Sequence, residues 1–184
     1  MKAELLILGV LHRGNFHPYE IKRRLSGAMV ECFTDVDVGT LYYAVRQLAR
    51  KELIQAVSHR RVPQGGARTV YRITAAGRAR LRSLLHACFA AEGSVADTLY
   101  GAMLFLHFGD QRLLAEQLQE KIVRQKLAID KLERIATQFR PSLGTGGTYL
   151  IKHLQAQRQL DLRWLRSLRA QVVAGRVRDN SKPG

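Results

Sequence analysis

The sequence predicts a mainly α-helical protein with one small β-hairpin: an N-terminal winged helix-turn-helix followed by a C-terminal antiparallel helical dimerisation region. Three observations predict it. Helix-like periods fill three segments ahead of residue 52. Two short segments rich in β-branched residues then flank Pro63-Gln64-Gly65-Gly66-Ala67, a run of turn chemistry with two residues free to take positive φ. Beyond Glu92-Gly93-Ser94 the chain changes to long helical segments without strand patterns.

The stretch Lys2–His12 is almost continuously apolar and is stopped by Gly14, which suits a helix buried on most sides. Pro18 opens a second helix, where its missing N–H costs nothing, and His17 is expected to help begin it. Glu20 sits where the helix dipole favours an anion, and Ile21, Leu25 and Ala28/Met29 form one inward face. Residues 34–38 read as a connection, and Gly39-Thr40 opens a third helix that runs to about residue 51. Strands are expected at Ile54–Val62 and at 69–73, paired as a hairpin. Thr74 is placed to cap a fourth helix, in which Leu81, Leu84, Leu85, Cys88 and Phe89 recur on one side.

Residues 95–108 read as a further helix, and two long helices flank a break at 140–147 that contains Pro141. In the first of these, Leu118, Ile122, Gln125, Ile129, Leu132, Ala136 and Phe139 are spaced alternately four and three, a coiled-coil-like seam with one polar interruption. In the second, Leu150, Leu154, Leu162, Leu165 and Leu168 make a broader apolar side with Trp164 beside it. Two such stripes are hidden only if they meet a third surface, which points to a homodimer through the C-terminal helices; an intramolecular helical hairpin is the plainer alternative. The expected organisation is a DNA-binding domain at 1–93, a helical dimerisation domain at 94–175 and a flexible tail at 176–184.

Charge is the strongest global signal, with 30 Lys and Arg against 15 Asp and Glu and a formal net of +15. Such an excess favours a polyanionic partner, because each phosphate neutralised by a side-chain cation releases condensed counterions. Ten cations (Arg46, Arg50, Lys51, Arg60, Arg61, Arg68, Arg72, Arg78, Arg80 and Arg82) fall between residues 39 and 82, a stretch whose one anion is Glu52. No stretch approaches the roughly 18 uncharged apolar residues a membrane span needs, and the apolar run at 5–11 is too short for an export signal. The cytoplasm is therefore the expected compartment, with no membrane partner. Cys32 and Cys88 offer neither a CxxC motif nor a disulfide framework and read as buried thiols.

On a helical wheel set at Leu41, the residues Val45, Leu48 and Glu52 fall close to it, while Tyr43, Arg46, Gln47 and Arg50 fall opposite. That outward set suits a major groove: Arg bridges guanine O6 and N7, Gln pairs with adenine N6 and N7, and Tyr reaches a phosphate or a thymine methyl. An ordinary solvated face would mix Glu with Arg, and this one has no anion. Thr40 and Lys51 join the candidate set, and Arg60, Arg61 and Arg68 bracket the glycine-rich turn, from which a hairpin would carry cations to phosphates or into the minor groove. Arg78, Arg80 and Arg82 read equally as DNA contacts or as a solvated face of the fourth helix. The expected partner is double-stranded DNA.

Phe89, Tyr100, Phe105, His107 and Trp164 are the candidates for a small aromatic effector site between the fourth helix and the C-terminal helices, although aromatics at helical spacing are more often core. The histidines His12, His17, His59, His86, His107 and His153 are scattered, with no carboxylate or cysteine at ligand spacing, so no metal is expected. Gly144-Thr145-Gly146-Gly147 lacks the Lys and the preceding strand that phosphate cradling requires and reads as an interhelical turn. Neither an acid/base pair nor an activated nucleophile is present, so neither enzyme chemistry nor a cofactor is expected. A winged helix used on protein, as an adaptor without DNA sequence specificity, is the competing reading.

Three motifs in fixed order carry a resemblance. They are Gly14-Asn15-Phe16-His17-Pro18-Tyr19-Glu20-Ile21, then Gly39-Thr40-Leu41-Tyr42 with Leu48 and Leu53-Ile54, then Tyr71-Arg72-Ile73-Thr74-Ala75-Ala76-Gly77-Arg78 with Leu81. Together they resemble the PadR family of bacterial transcriptional regulators over about half the chain. Pro18 stands where that family more often has Gly, and Tyr43 where Pro frequently follows. The resemblance implies a dimer on an inverted-repeat operator, usually a repressor, often of genes for detoxification, efflux or aromatic-acid metabolism. The long C-terminal region looks like the family's larger subgroup, whose extra helices make the dimer, and some relatives are released from DNA by small, flat aromatic compounds.

Overall fold

The computed structural model describes residues 2–27, 38–62, 66–139 and 142–177, with the backbone alone at 27, 38, 58–62 and 66–68. The expected connection at 34–38 thus lies outside the described residues except at its last position, as do the centre of the hairpin turn, Cys32 and most of the tail. The elements run α1 (Lys2–His12), α2 (Pro18–Gly27), α3 (Val38–Arg50), β1 (Ile54–Val62), β2 (Gly66–Ile73), α4 (Ala75–Ala90), α5 (Val95–Met103), a 3-10 turn at Leu106–Phe108, α6 (Gln111–Phe139) and α7 (Thr145–Val173). They form two compact units, Met1–Gly109 and Asp110–Asp179.

In the first unit α1 is the central element. Leu5, Leu6, Ile7, Leu8, Val10 and Leu11 are all buried because α1 packs against α2, α3, α4, α5 and β2 at once, which accounts for its unbroken apolar run. The expected helix at 95–108 is broken: α5 ends at Met103, and the chain turns at Leu104-Phe105. The cause is tertiary. Phe105 lies so close over Gly9 that a Cβ there would strike its ring. α5 itself packs on α1 and α4.

The hairpin is antiparallel, from Ile54 opposite Ile73 to Val62 opposite Gly66, with an irregularity between Ala56 and Ser58. β2 begins at Gly66, earlier than the β-branched run alone suggests, because the turn glycine and Ala67 extend the ladder. Thr74 caps α4 as expected: its Oγ1 accepts from the Gly77 amide at 3.0 Å and donates to the carbonyls of Glu52 at 2.8 Å and Leu53 at 3.0 Å. Gly77 is required there, since any Cβ would collide with the Leu53 carbonyl oxygen.

The second unit is a helical hairpin in which α6 and α7 pack antiparallel. Leu114, Leu118, Ile122 and Ile129 of α6 and Leu162, Leu165 and Val172 of α7 are buried. The expected seam holds over its first half; its end departs, with Leu132 and Ala136 half-buried and Phe139 exposed. Gln125 is buried between the helices, donating through Nε2 to Asp161 Oδ2 at 3.2 Å and accepting from Arg158 Nη1 at 2.7 Å. The interhelical turn is shorter than expected: α7 starts at Thr145, so Gly146 and Gly147 fall in its first turn, where Thr148 Oγ1 donates to the Gly144 carbonyl at 3.2 Å. No helix among the described residues is long and apolar enough to cross a membrane.

Candidate nucleic-acid interface

The helix-turn-helix is set by local bonds at the start of α2. The His17 amide donates to Glu20 Oε2 at 2.9 Å, and His17 Nδ1 accepts from the Tyr19 amide at 3.1 Å, so a histidine serves as the cap ahead of Pro18. α3 follows with Leu41, Val45 and Leu48 buried. On its other side Tyr43 is 65% exposed, Thr40, Arg46 and Arg50 are exposed and Gln47 is half-buried. Among the described residues neither Arg46 nor Arg50 meets a carboxylate. Glu52, placed near Leu41 by the wheel, instead lies past the helix end with φ 56 and is exposed.

Lys51 is exposed and stands near enough to Glu4 to help lower its pKa, although the main cause is the hydrogen bond from Arg80. Arg80 donates from Nε and Nη2 to the two Glu4 carboxylate oxygens at 2.9 and 3.2 Å, which takes it out of the pool of unpaired cations. Arg78 and Arg82 are exposed on the same helix. In the hairpin, Arg60 stands opposite Arg68 and Arg61 opposite Ala67 in the ladder; their side chains lie outside the described residues.

One contact had no signal in the sequence. Phe16, between α1 and α2, forms a two-bond bridge with Tyr71 of β2, its amide donating at 3.1 Å and its carbonyl accepting at 3.0 Å. The hairpin is thereby tied to the segment that enters α2. The ring of Phe16 lies beneath the Arg24 guanidinium at 4.0 Å, a cation–π pair.

The proposed effector residues are dispersed by burial. Phe89 of α4 is fully buried, Phe105 is buried against Gly9, and Tyr100 is exposed. His107 packs on Phe108 at 3.9 Å between ring centroids, and His12 meets the same Phe108 at 4.1 Å. Trp164 lies half-buried on α7 in the second unit. Cys88 is buried in α4.

Solved structures with a related chain path include Bacillus subtilis PadR in complex with operator DNA, at 16% identity over 92% of this chain and 98% of that one, with a TM-score of 0.44. The smu.1604c protein of Streptococcus mutans UA159 is 21% identical over 92% and 99%, with a TM-score of 0.43. The Vibrio cholerae virulence activator AphA is 19% identical over 94% and 98%, with a TM-score of 0.39. No curated protein matches the chain. Residues 7–83, which run from the middle of α1 to the middle of α4 and hold the three motifs that carry the resemblance, match the transcriptional regulator PadR-like family. By that match the chain carries a PadR-like transcriptional regulator domain at residues 7–83.

Proposed function

We infer that the chain is a sequence-specific duplex-DNA-binding repressor that works as a dimer on an inverted-repeat operator in the cytoplasm. The observation that carries this reading is the two-sidedness of α3. Its apolar side is locked into the core by Leu41, Val45 and Leu48, and its other side presents Tyr43, Arg46, Gln47 and Arg50 with no anion among them. Thr40 and Lys51 extend this face, and Arg60, Arg61 and Arg68 follow the phosphates from the hairpin. Dimerisation through the second unit is supported by apolar side chains that the helical hairpin leaves exposed, with Leu127 at 61%, Leu160 at 59% and Leu150 at 58%. A small aromatic effector that releases the duplex completes the reading.

Selection of bound sites from random duplexes with the purified protein tests it. The expected product is a palindrome whose half-sites lie about one helical turn, or a multiple of it, apart. Unenriched pools, together with a protein partner captured in a salt-insensitive way, would favour the adaptor reading instead. Isothermal titration with planar phenolics tests the effector, and the absence of heat together with an unchanged Trp164 fluorescence would count against it.

A further inference from the structure

We propose that the end of α1 and the 3-10 turn at Leu106–Phe108 form an acid-released latch, in which a neutral His12 holds Phe108 in place and protonation of His12 frees that ring and its turn. The His12 imidazole packs on the Phe108 ring at 4.1 Å between centroids and 53° between planes, and His107 packs on the same ring at 3.9 Å. Phe105 lies parallel to it at 6.3 Å. Phe105 is itself buried over Gly9, whereas Phe108 is half-buried and leans on the two imidazoles.

The His12 side is built for a neutral ring. Its Nδ1 is buried and has no hydrogen-bond partner among the described residues. A neutral imidazole leaves such a nitrogen as a bare acceptor, but a protonated one carries an N–H at both nitrogens, and a charged donor left unpaired inside costs its full desolvation. The groups around the ring add to this. Burial, then Arg78 of α4, His107 of the turn, Arg82 of α4 and Arg13 just beyond α1 all hold the His12 pKa below its ordinary value. A ring that swings out into water regains the ordinary value, so the open form takes the proton first and acid favours it. Phe108 and Gly109 are the last residues of the first unit, directly ahead of Asp110, so release acts on the connection into α6. The latch does not depend on the duplex reading, and it is tested on the full chain without DNA.

Amide hydrogen exchange reads it locally, because the Phe108 and Gly109 amides donate to the Phe105 and Leu106 carbonyls at 3.0 and 3.2 Å. Corrected for intrinsic rates, their protection should fall about tenfold between about pH 7.5 and about pH 5, with a ceiling of about thirtyfold set by the ordinary histidine value of about 6.5. The amides of Leu8 and Gly9 in α1 should keep theirs. His12→Phe, which retains a ring and takes up no proton, should stay protected at both values. In the parent, the His12 ring followed by nuclear magnetic resonance should titrate below about 6.5, and Phe108→Leu, which uncovers it, should bring it back toward that value. Protection independent of pH, the same fall in His12→Phe, a fall shared by Leu8 and Gly9, or a His12 titration unmoved by Phe108→Leu would overturn the proposal.

Discussion

Arg80 holds Glu4 through two hydrogen bonds, at 2.9 and 3.2 Å, across 76 positions of sequence, and so ties the first turn of α1 to α4. Arg80→Met is expected to cost about 1 kcal/mol of stability, the upper range for such a pair, and to leave DNA affinity unchanged. The bond from Arg80 lowers the Glu4 pKa, so the contribution is present above the ordinary glutamate value and is lost as pH falls from there through the lowered one. Urea melts of both proteins at neutral and acid pH check this; a DNA defect in Arg80→Met would return Arg80 to the interface.

Gly77 allows α4 to start directly against the Leu53 carbonyl, where no Cβ fits. Gly77→Ala should therefore destabilise the first unit by about 1–3 kcal/mol even though alanine favours helices, because overpacking against backbone outweighs propensity. A chemical denaturation midpoint equal to that of the parent would contradict the packing described.

The His12 imidazole is held below its ordinary pKa, first by burial and then by Arg78, His107, Arg82 and Arg13. The unfolded chain then takes up this proton before the folded one does. Its stabilising contribution is complete above the ordinary histidine value of about 6.5 and is lost as pH falls from there through the lowered value. Melting temperature should drop between roughly pH 7 and pH 5, and drop less in His12→Gln. Identical slopes for the two proteins would argue against the assignment.

Gln125 bridges Arg158 and Asp161 in the interior of the helical hairpin. Gln125→Leu should cost about 1–3 kcal/mol, since it leaves two polar groups short of a partner. Burial, opposed by Arg158 and Gln125, already raises the Asp161 pKa. Loss of the amide raises it further, so the penalty should be larger at neutral pH, where the carboxylate is charged, than below its titration. A penalty independent of pH would place Gln125 outside this network.

Much of the fold was legible because the determinants are local. The 3.6-residue period located α2, α3, α4 and the long pair, Thr74 announced α4, and the β-branched runs around two glycines announced the hairpin. The face of α3 followed from the wheel, apart from Glu52, which leaves the helix at a positive φ. What escaped was tertiary: the Phe16 bridge to Tyr71 needs only one residue in register, the break after Met103 comes from a ring meeting Gly9, and the Arg80 pair joins residues far apart in sequence. No window of sequence encodes such contacts.

The claim that the outward side of α3 reads bases is tested most directly by the affinities of Arg46→Ala, Arg50→Ala and Arg61→Ala for a selected site and for a scrambled duplex across a salt series. Arg46→Ala and Arg50→Ala should each lose about 1–3 kcal/mol on the selected site and far less on the scrambled one, while Arg61→Ala weakens both alike and flattens the salt slope. Equal losses on both duplexes for all three variants would contradict it.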